Sequence, residues 1–202
     1  MRKQSPVADD GPGLAGLVLA AGAASRFGGP KQLAVVAGLA LVERAASLAL
    51  ACCDAGVVVV TGAHAASVER AVVQRPVRVV RNDAWAEGLA SSLRCGLDAL
   101  PAGAAACLVL LCDQPGIGVA DLARLVAAWR SAPEQPAAAH YGGSPGVPAI
   151  FPRRSWPALA QLQGDRGAGG LLAATPGLTT VPMPSAASDI DTLADLERWG
   201  GG

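Results

Sequence analysis

Four short apolar runs, each followed by a stretch with helical spacing, constrain the fold of this chain more than any other feature. Leu14 to Ala20 is uniformly apolar and ends in glycine punctuation, so it reads as a buried strand. GVVVVTG (Gly56 to Gly62), VRVVRN (Val77 to Asn82) and AACLVLLCD (Ala105 to Asp113) follow at similar intervals. Without polar alternation, such β-branched runs suit strands covered on both faces. Between and after them the spacing predicts helices over Leu39–Ala55 (stopped by Gly56), His64–Gln74, Gly88–Leu100 and Val119–Arg130. Strand and helix in strict alternation imply an α/β fold, a three-layer α/β/α Rossmann-like sandwich with a mostly parallel sheet.

From Ser131 on, proline and glycine break the pattern. SAPEQPAAAHYGGSPGVPAIFP predicts two short strands around a glycine turn, GLTTVPMP predicts a last strand, and Arg153–Leu162 and Gly167–Ala174 predict short helices. Thr192–Trp199 reads as a closing helix capped by Thr192. The expected organisation is a disordered tail over 1–13 and one domain over 14–199.

Charge and composition exclude several classes of partner. Sixteen cations balance sixteen acids with no run of like charge, which argues against a nucleic acid or an anionic membrane surface. Although 51% of residues are hydrophobic, no stretch reaches the ~18 consecutive apolar residues needed to span a bilayer. MRKQSPVADDGPG lacks the apolar segment of a signal peptide, so a cytoplasmic location is expected. The five cysteines form no CxxC pair and have no histidine at ligand spacing; they read as buried free thiols.

In an open parallel sheet, ligands bind beyond the carboxyl ends of the strands, so three polar loops draw attention. The first, LAAGAASRFGGPKQL, holds Gly22, Gly28 and Gly29 together with Arg26 and Lys31. Glycines let backbone N–H groups approach phosphates, and Lys31, one of only two lysines beside fourteen arginines, offers a compact point charge that a guanidinium does not. The spacing fits neither GxxxxGK[ST] nor GxGxxG, so a plain surface turn stays open as the alternative. The second loop, CDQP, sets Asp113 directly after the most apolar strand, either as a ligand of Mg²⁺ or as a helix cap. The third, SDIDT, places Asp189 and Asp191 on one face of an extended piece. Two acids from distant loops converging on one hard cation suit phosphoryl or nucleotidyl transfer.

LAAGAASRFGGPK is similar to the LAAGxSxRMGxPK signature of nucleotidyltransferases. NDAWAEGLASSLRCGL, CDQP, GVPAIF, GDRGAGGLL and DIDTLADL resemble, in the same order, the molybdenum cofactor cytidylyltransferase branch of the MobA-like superfamily. The resemblance implies a nucleotidyltransferase fold, with a nucleotide-binding part over about 14–131 and an acceptor-binding part over about 132–199. It implies transfer of CMP from CTP to the terminal phosphate of molybdenum-molybdopterin, with a molybdenum hydroxylase as recipient. Leu19, Ala20, Ala21 and Gly22 would face base and ribose, Arg26 and Lys31 the triphosphate, and Gly88, Ser91 and Ser92 the ribose or base. Asp113 and Asp191 would hold Mg²⁺, and Asp165, Arg166 and Asp189 would meet the acceptor. Guanylate-transferring relatives usually read LAGG where this chain reads LAAG, so the methyl group of Ala21 is expected to narrow the base site towards a pyrimidine. Two positions depart from the family: Phe27 replaces a methionine, and Gly169 stands where relatives often carry a basic residue. A nucleotidyltransferase acting on a sugar phosphate or another phosphorylated small molecule, and a cofactor-binding chaperone for a hydroxylase, are the competing expectations.

Overall fold

A computed structural model describes residues 13–165 and 167–200. The predicted tail and Arg166 therefore fall outside the described residues, save for Gly13. Seven strands form one sheet in the order β5-β4-β1-β6-β8-β7-β9. They are β1 (Leu14–Ala20), β4 (Val57–Thr61), β5 (Arg78–Arg81), β6 (Ala106–Leu111), β7 (Ala137–Tyr141), β8 (Ser144–Pro152) and β9 (Thr179–Pro182). A separate two-stranded hairpin pairs β2 (Val35–Val36) with β3 (Leu39–Ala40). β1, β4, β5 and β6 are mutually parallel, β8 runs against β6 and β7, and β9 is parallel to β7. This is the mostly parallel α/β sheet that the alternating runs predict.

All seven residues of β1 and all five of β4 are buried, as their unbroken apolar character requires. One apolar cluster packs the β1 face bearing Leu14 and Val18 against α1 (Leu41–Cys52) and α4 (Val119–Ser131). A second covers the face bearing Leu17 and Leu19 with α3 (Leu89–Ala99) and α5 (Trp156–Ala160). Gly96 of α3 lets that helix lie flat on the sheet, since a Cβ there would come within 2.3 Å of Leu17 Cδ1. The remaining helices are α2 (Ala65–Val72), α6 (Gly169–Ala173) and α7 (Leu193–Arg198), and Thr192 caps α7 as its sequence predicts.

Two sequence expectations need correction. The first helix begins at Leu41 rather than Leu39, because Ala37 and Gly38 both adopt positive φ (51° and 81°) and turn the chain into the β2–β3 hairpin. It also ends at Cys52, not against Gly56. Of the five cysteines, all free, only Cys107 and Cys112 are buried; Cys52, Cys53 and Cys95 are half-buried at the edges of packed segments. Burial raises the Cys107 thiol to about 12 and the Cys53 and Cys112 thiols further still, so none of the three is poised as a nucleophile.

Candidate active site

The order of strand addition reverses at β1: β4 and β5 extend the sheet on one side of it, and the parallel β6 lies on the other. That switch point opens a crevice at the carboxyl ends of the two strands. A cleft of about 420 Å³ occupies it, lined by Leu19 to Ala24, Lys31 and Gln32 on one side and by Leu111 to Asp113 on the other. Trp85, Ala86, Gly88, Leu89, Ser92 and Asp165 complete the wall.

The glycine loop is held from beneath by Gln32, which is buried and donates its amide to the carbonyls of Gly22 (2.6 Å) and Ala20 (3.2 Å). Ala63 N–H donates to the Ala21 carbonyl, and the His64 ring bonds the Ala23 carbonyl at 3.2 Å. An added Cβ at Gly22, Gly28 or Gly29 would meet nothing within 4 Å, so the loop faces open space. The carbonyls of Ala20 to Ala24 are thus taken up by protein while a ligand has access from the other side.

At one end of the cleft three charges meet. Lys31 Nζ lies 2.7 Å from Asp113 Oδ2 and 2.7 Å from Asp191 Oδ1, although the acids are 82 and 160 residues away in sequence. A small separate core brings them together: Val36, Leu41 and Ile190 are buried there, with Phe27, Ala34 and Leu196 packed around them. Phe27 ties in the glycine loop and Ile190 the acidic turn, and burying Ile190 completely is worth about 2 kcal/mol. Ile190 N–H also donates to the Asp113 carbonyl at 2.9 Å. Asp195 accepts from the N–H groups of Asp191 and Thr192, fixing the turn at the start of α7. Burial opposes the charge on Lys31, but the two carboxylates outweigh it and hold its pKa above the ordinary lysine value. Partial desolvation and the charges of Asp113 and Asp191 push the Asp189 carboxyl up to about 6.

Gly118, not Asp113, caps the helix that follows β6, so Asp113 is not a cap. Its Oδ1 is buried without a hydrogen-bond partner among the described residues. An orphaned carboxylate oxygen beside a second carboxylate is a donor set suited to a hard divalent ion. Mg²⁺ commonly takes one or two carboxylates and fills its remaining positions with phosphate oxygens and water. Asp113 and Asp191 fit that role.

Leu19, Ala20, Ala21, Gly22, Lys31, Gly88, Ser92, Asp113 and Asp165 all line the cleft. Arg26 is exposed on the glycine loop, outside the lining. Ser91 is turned inward: it is buried, accepts from Asn82 Nδ2 (2.8 Å) and directs its hydroxyl to the carbonyls of Ala84 and Gly88. It braces the loop before α3 instead of facing the cleft. Asp165, expected near the acceptor, lines the same cleft as the glycine loop, and Asp189 stands with the charged cluster.

Sequence reasoning passed over three residues. Gln32 was visible only as a departure from the phosphate-loop pattern. Gln114, buried beside Asp113, donates to the Ala186 carbonyl (2.9 Å), the Val147 carbonyl and the Tyr141 hydroxyl, joining the acidic turn to β8. Trp85 lines the cleft with its indole N–H unbonded among the described residues, whereas Trp129 and Trp156 donate theirs to backbone carbonyls. Next to the cleft, and sharing Leu19, Leu89 and Leu111 with it, an apolar pouch of about 260 Å³ runs between Tyr141, Val147 and Gly169.

A glycine loop at a sheet switch point, closed by an ammonium and two carboxylates, defines an α/β nucleotidyltransferase. The chain belongs to the MobA-like NTP transferase family, whose model matches residues 16–179. It is 36% identical over 199 residues to nicotine blue oxidoreductase of Paenarthrobacter nicotinovorans, covering 94% of this chain and 97% of that relative. The crystal structure of an Rv0371c homologue from Mycobacterium sp. strain JC1 superposes with a TM-score of 0.79 at 30% identity, over 92% of this chain and 93% of that one. Rv0371c of Mycobacterium tuberculosis in complex with manganese gives 0.77 at 26% identity, over 93% and 97%. A nucleotidyl transferase from Methanothermobacter also gives 0.77 at 26%, over 92% and 95%. The family expected from the sequence motifs, and an enzyme of the nucleotidyltransferase type, are thus borne out. No helix among the described residues is long and apolar enough to cross a membrane.

Proposed function

We propose that this protein transfers CMP from CTP to the terminal phosphate of a molybdopterin-type cofactor in the cytoplasm, releasing pyrophosphate. One observation carries the reading: Lys31, Asp113 and Asp191, from three distant segments, converge at the mouth of the glycine-loop cleft. N–H groups of the glycine loop, apart from that of Phe27, which donates to the Ala24 carbonyl, would face the triphosphate, with Lys31 and Arg26 adding positive charge. A Mg²⁺ ion held by Asp113 and Asp191 would neutralise charge on the triphosphate. The acceptor phosphate, with a second pKa of about 6, is already mostly ionised at neutral pH, so the chain needs no general base. Its oxygen attacks the α-phosphorus as the bond to pyrophosphate breaks, and the residues contribute position and charge. The apolar pouch beside the cleft would take the ring system of the acceptor, which could then be handed to a molybdenum hydroxylase.

Pyrophosphate release with CTP and Mg²⁺ tests this, comparing molybdenum-molybdopterin with sugar phosphates as acceptors. Release with the pterin alone supports it; release only with sugar phosphates, or none at all, refutes it. Lys31→Ala should lower turnover about a hundredfold or more. A second reading, an oxidoreductase, has behind it the name of the relative from Paenarthrobacter, which matches nearly the whole chain. Oxidation of NADH or NADPH in the absence of CTP would favour it.

A further inference from the structure

The cation that the two acids engage in this structure is the chain's own. Lys31 Nζ bonds Asp113 and Asp191 at 2.7 Å each, and among the described residues no other cation pairs with either acid. A divalent ion on the free Asp113 Oδ1 and on Asp191 would sit within a few ångströms of the ammonium on Asp113 Oδ2 and Asp191 Oδ1, and the two positive charges would repel. The lysine can move by its side chain alone. Its backbone is fixed in a short helical turn, with Leu33 N–H on the Pro30 carbonyl and Ala34 N–H on the Lys31 carbonyl, and the adjacent Gln32 is anchored to Ala20 and Gly22. The ammonium thus hangs on four methylenes beside the glycine loop, where a triphosphate would compete for it.

We infer that Lys31 is an internal counter-ion: it neutralises Asp113 and Asp191 while the cleft lacks nucleotide, and it yields them to the divalent ion when a triphosphate draws it away. Metal loading is then conditional on nucleotide, and the order of binding is built into one side chain. This rests on the reading that Asp113 and Asp191 hold the metal.

Binding of Mn²⁺, followed by electron paramagnetic resonance of the free ion, tests it without any turnover. Without nucleotide, Lys31→Met should bind Mn²⁺ at least tenfold more tightly than the wild type. Adding α,β-methylene-CTP should strengthen binding to the wild type by a similar factor and to Lys31→Met far less. Equal affinity of wild type and Lys31→Met without nucleotide overturns the proposal. Lys31→Gln, which keeps a polar side chain and removes the charge, serves if the methionine variant fails to fold, and the same outcomes apply. Asp113→Asn added to either variant should abolish the gain. If it does not, the metal is held elsewhere and the assignment of the acids falls with the proposal. If Lys31→Met shows no gain, yet Asp113→Asn alone abolishes the Mn²⁺ binding that wild type shows with nucleotide, only the counter-ion role falls.

Discussion

Replacing Gly88 with alanine should damage the protein severely, and the geometry sets the scale. Gly88 caps α3 with φ 103° and ψ −177°, a region essentially reserved for glycine. An added Cβ would lie 2.4 Å from the Gly164 carbonyl carbon, 2.6 Å from its oxygen and 2.7 Å from Asp165 Oδ1. The first two contacts are with backbone that the Ala90 N–H to Gly164 carbonyl bond (3.0 Å) holds in place, so the clash is not relieved by a side-chain rotation. Strain of about 1–3 kcal/mol and overpacking of similar size combine to about 2–6 kcal/mol. Against a total stability of about 5–15 kcal/mol, that shift is plain in a urea unfolding curve. Gly22→Ala is the control: its Cβ meets nothing within 4 Å, so it should unfold within about 1 kcal/mol of wild type while weakening nucleotide binding. If Gly88→Ala loses less than about 0.5 kcal/mol, the reasoning from close approach is wrong.

The other predictions concern binding, selectivity and acid stability. CTP should change the emission of Trp85, which lines the cleft, and Trp85→Phe should remove the change while leaving the signal of buried Trp129; an unaltered response would place the nucleotide elsewhere. Ala21→Gly should admit GTP, measured as the ratio of CTP to GTP turnover; an unchanged ratio would dismiss the methyl group as selector. Asp121 loses from burial, but the Gly118 N–H, the Ser185 hydroxyl and Arg124 more than compensate and hold its pKa below the ordinary value. A lowered native pKa gives stability that is present at neutral pH and lost as pH falls below about 4. Asp121→Asn should therefore cost about 1–2 kcal/mol at pH 7 and flatten the acid limb of the stability curve; a limb of unchanged slope would exclude this carboxylate as its source.

The sheet was legible because parallel strands buried on both faces must be written as unbroken apolar runs, and β1, β4 and β6 are. The β2–β3 hairpin was not, since two-residue strands carry no period and Leu39 looks like the start of the helix behind it. Ser91 and Ser92 illustrate the limit within a motif: both hydroxyls accept from Asn82 Nδ2, yet Ser92 lines the cleft while Ser91 is turned to the Ala84 and Gly88 carbonyls. No spacing rule separates them, because the distinction lies in which neighbour already supplies a partner.

The charged cluster shows the same division between chemistry and placement. That Lys31, Asp113 and Asp191 are suited to a phosphate and a metal follows from their residue types and loops. That they touch follows from apolar side chains with no part in the chemistry. Phe27, Val36, Leu41, Ile190 and Leu196 make a core too small to stand out from composition, yet it ties the acidic turn to the glycine loop across some 160 residues of chain. Ile190 lies between the two aspartates, so the alternation that turns Asp189 and Asp191 to one side also turns the isoleucine inward. Site and anchor are thus encoded in the same three residues, and a polar substitution at Ile190 would disperse the charges without touching any of them.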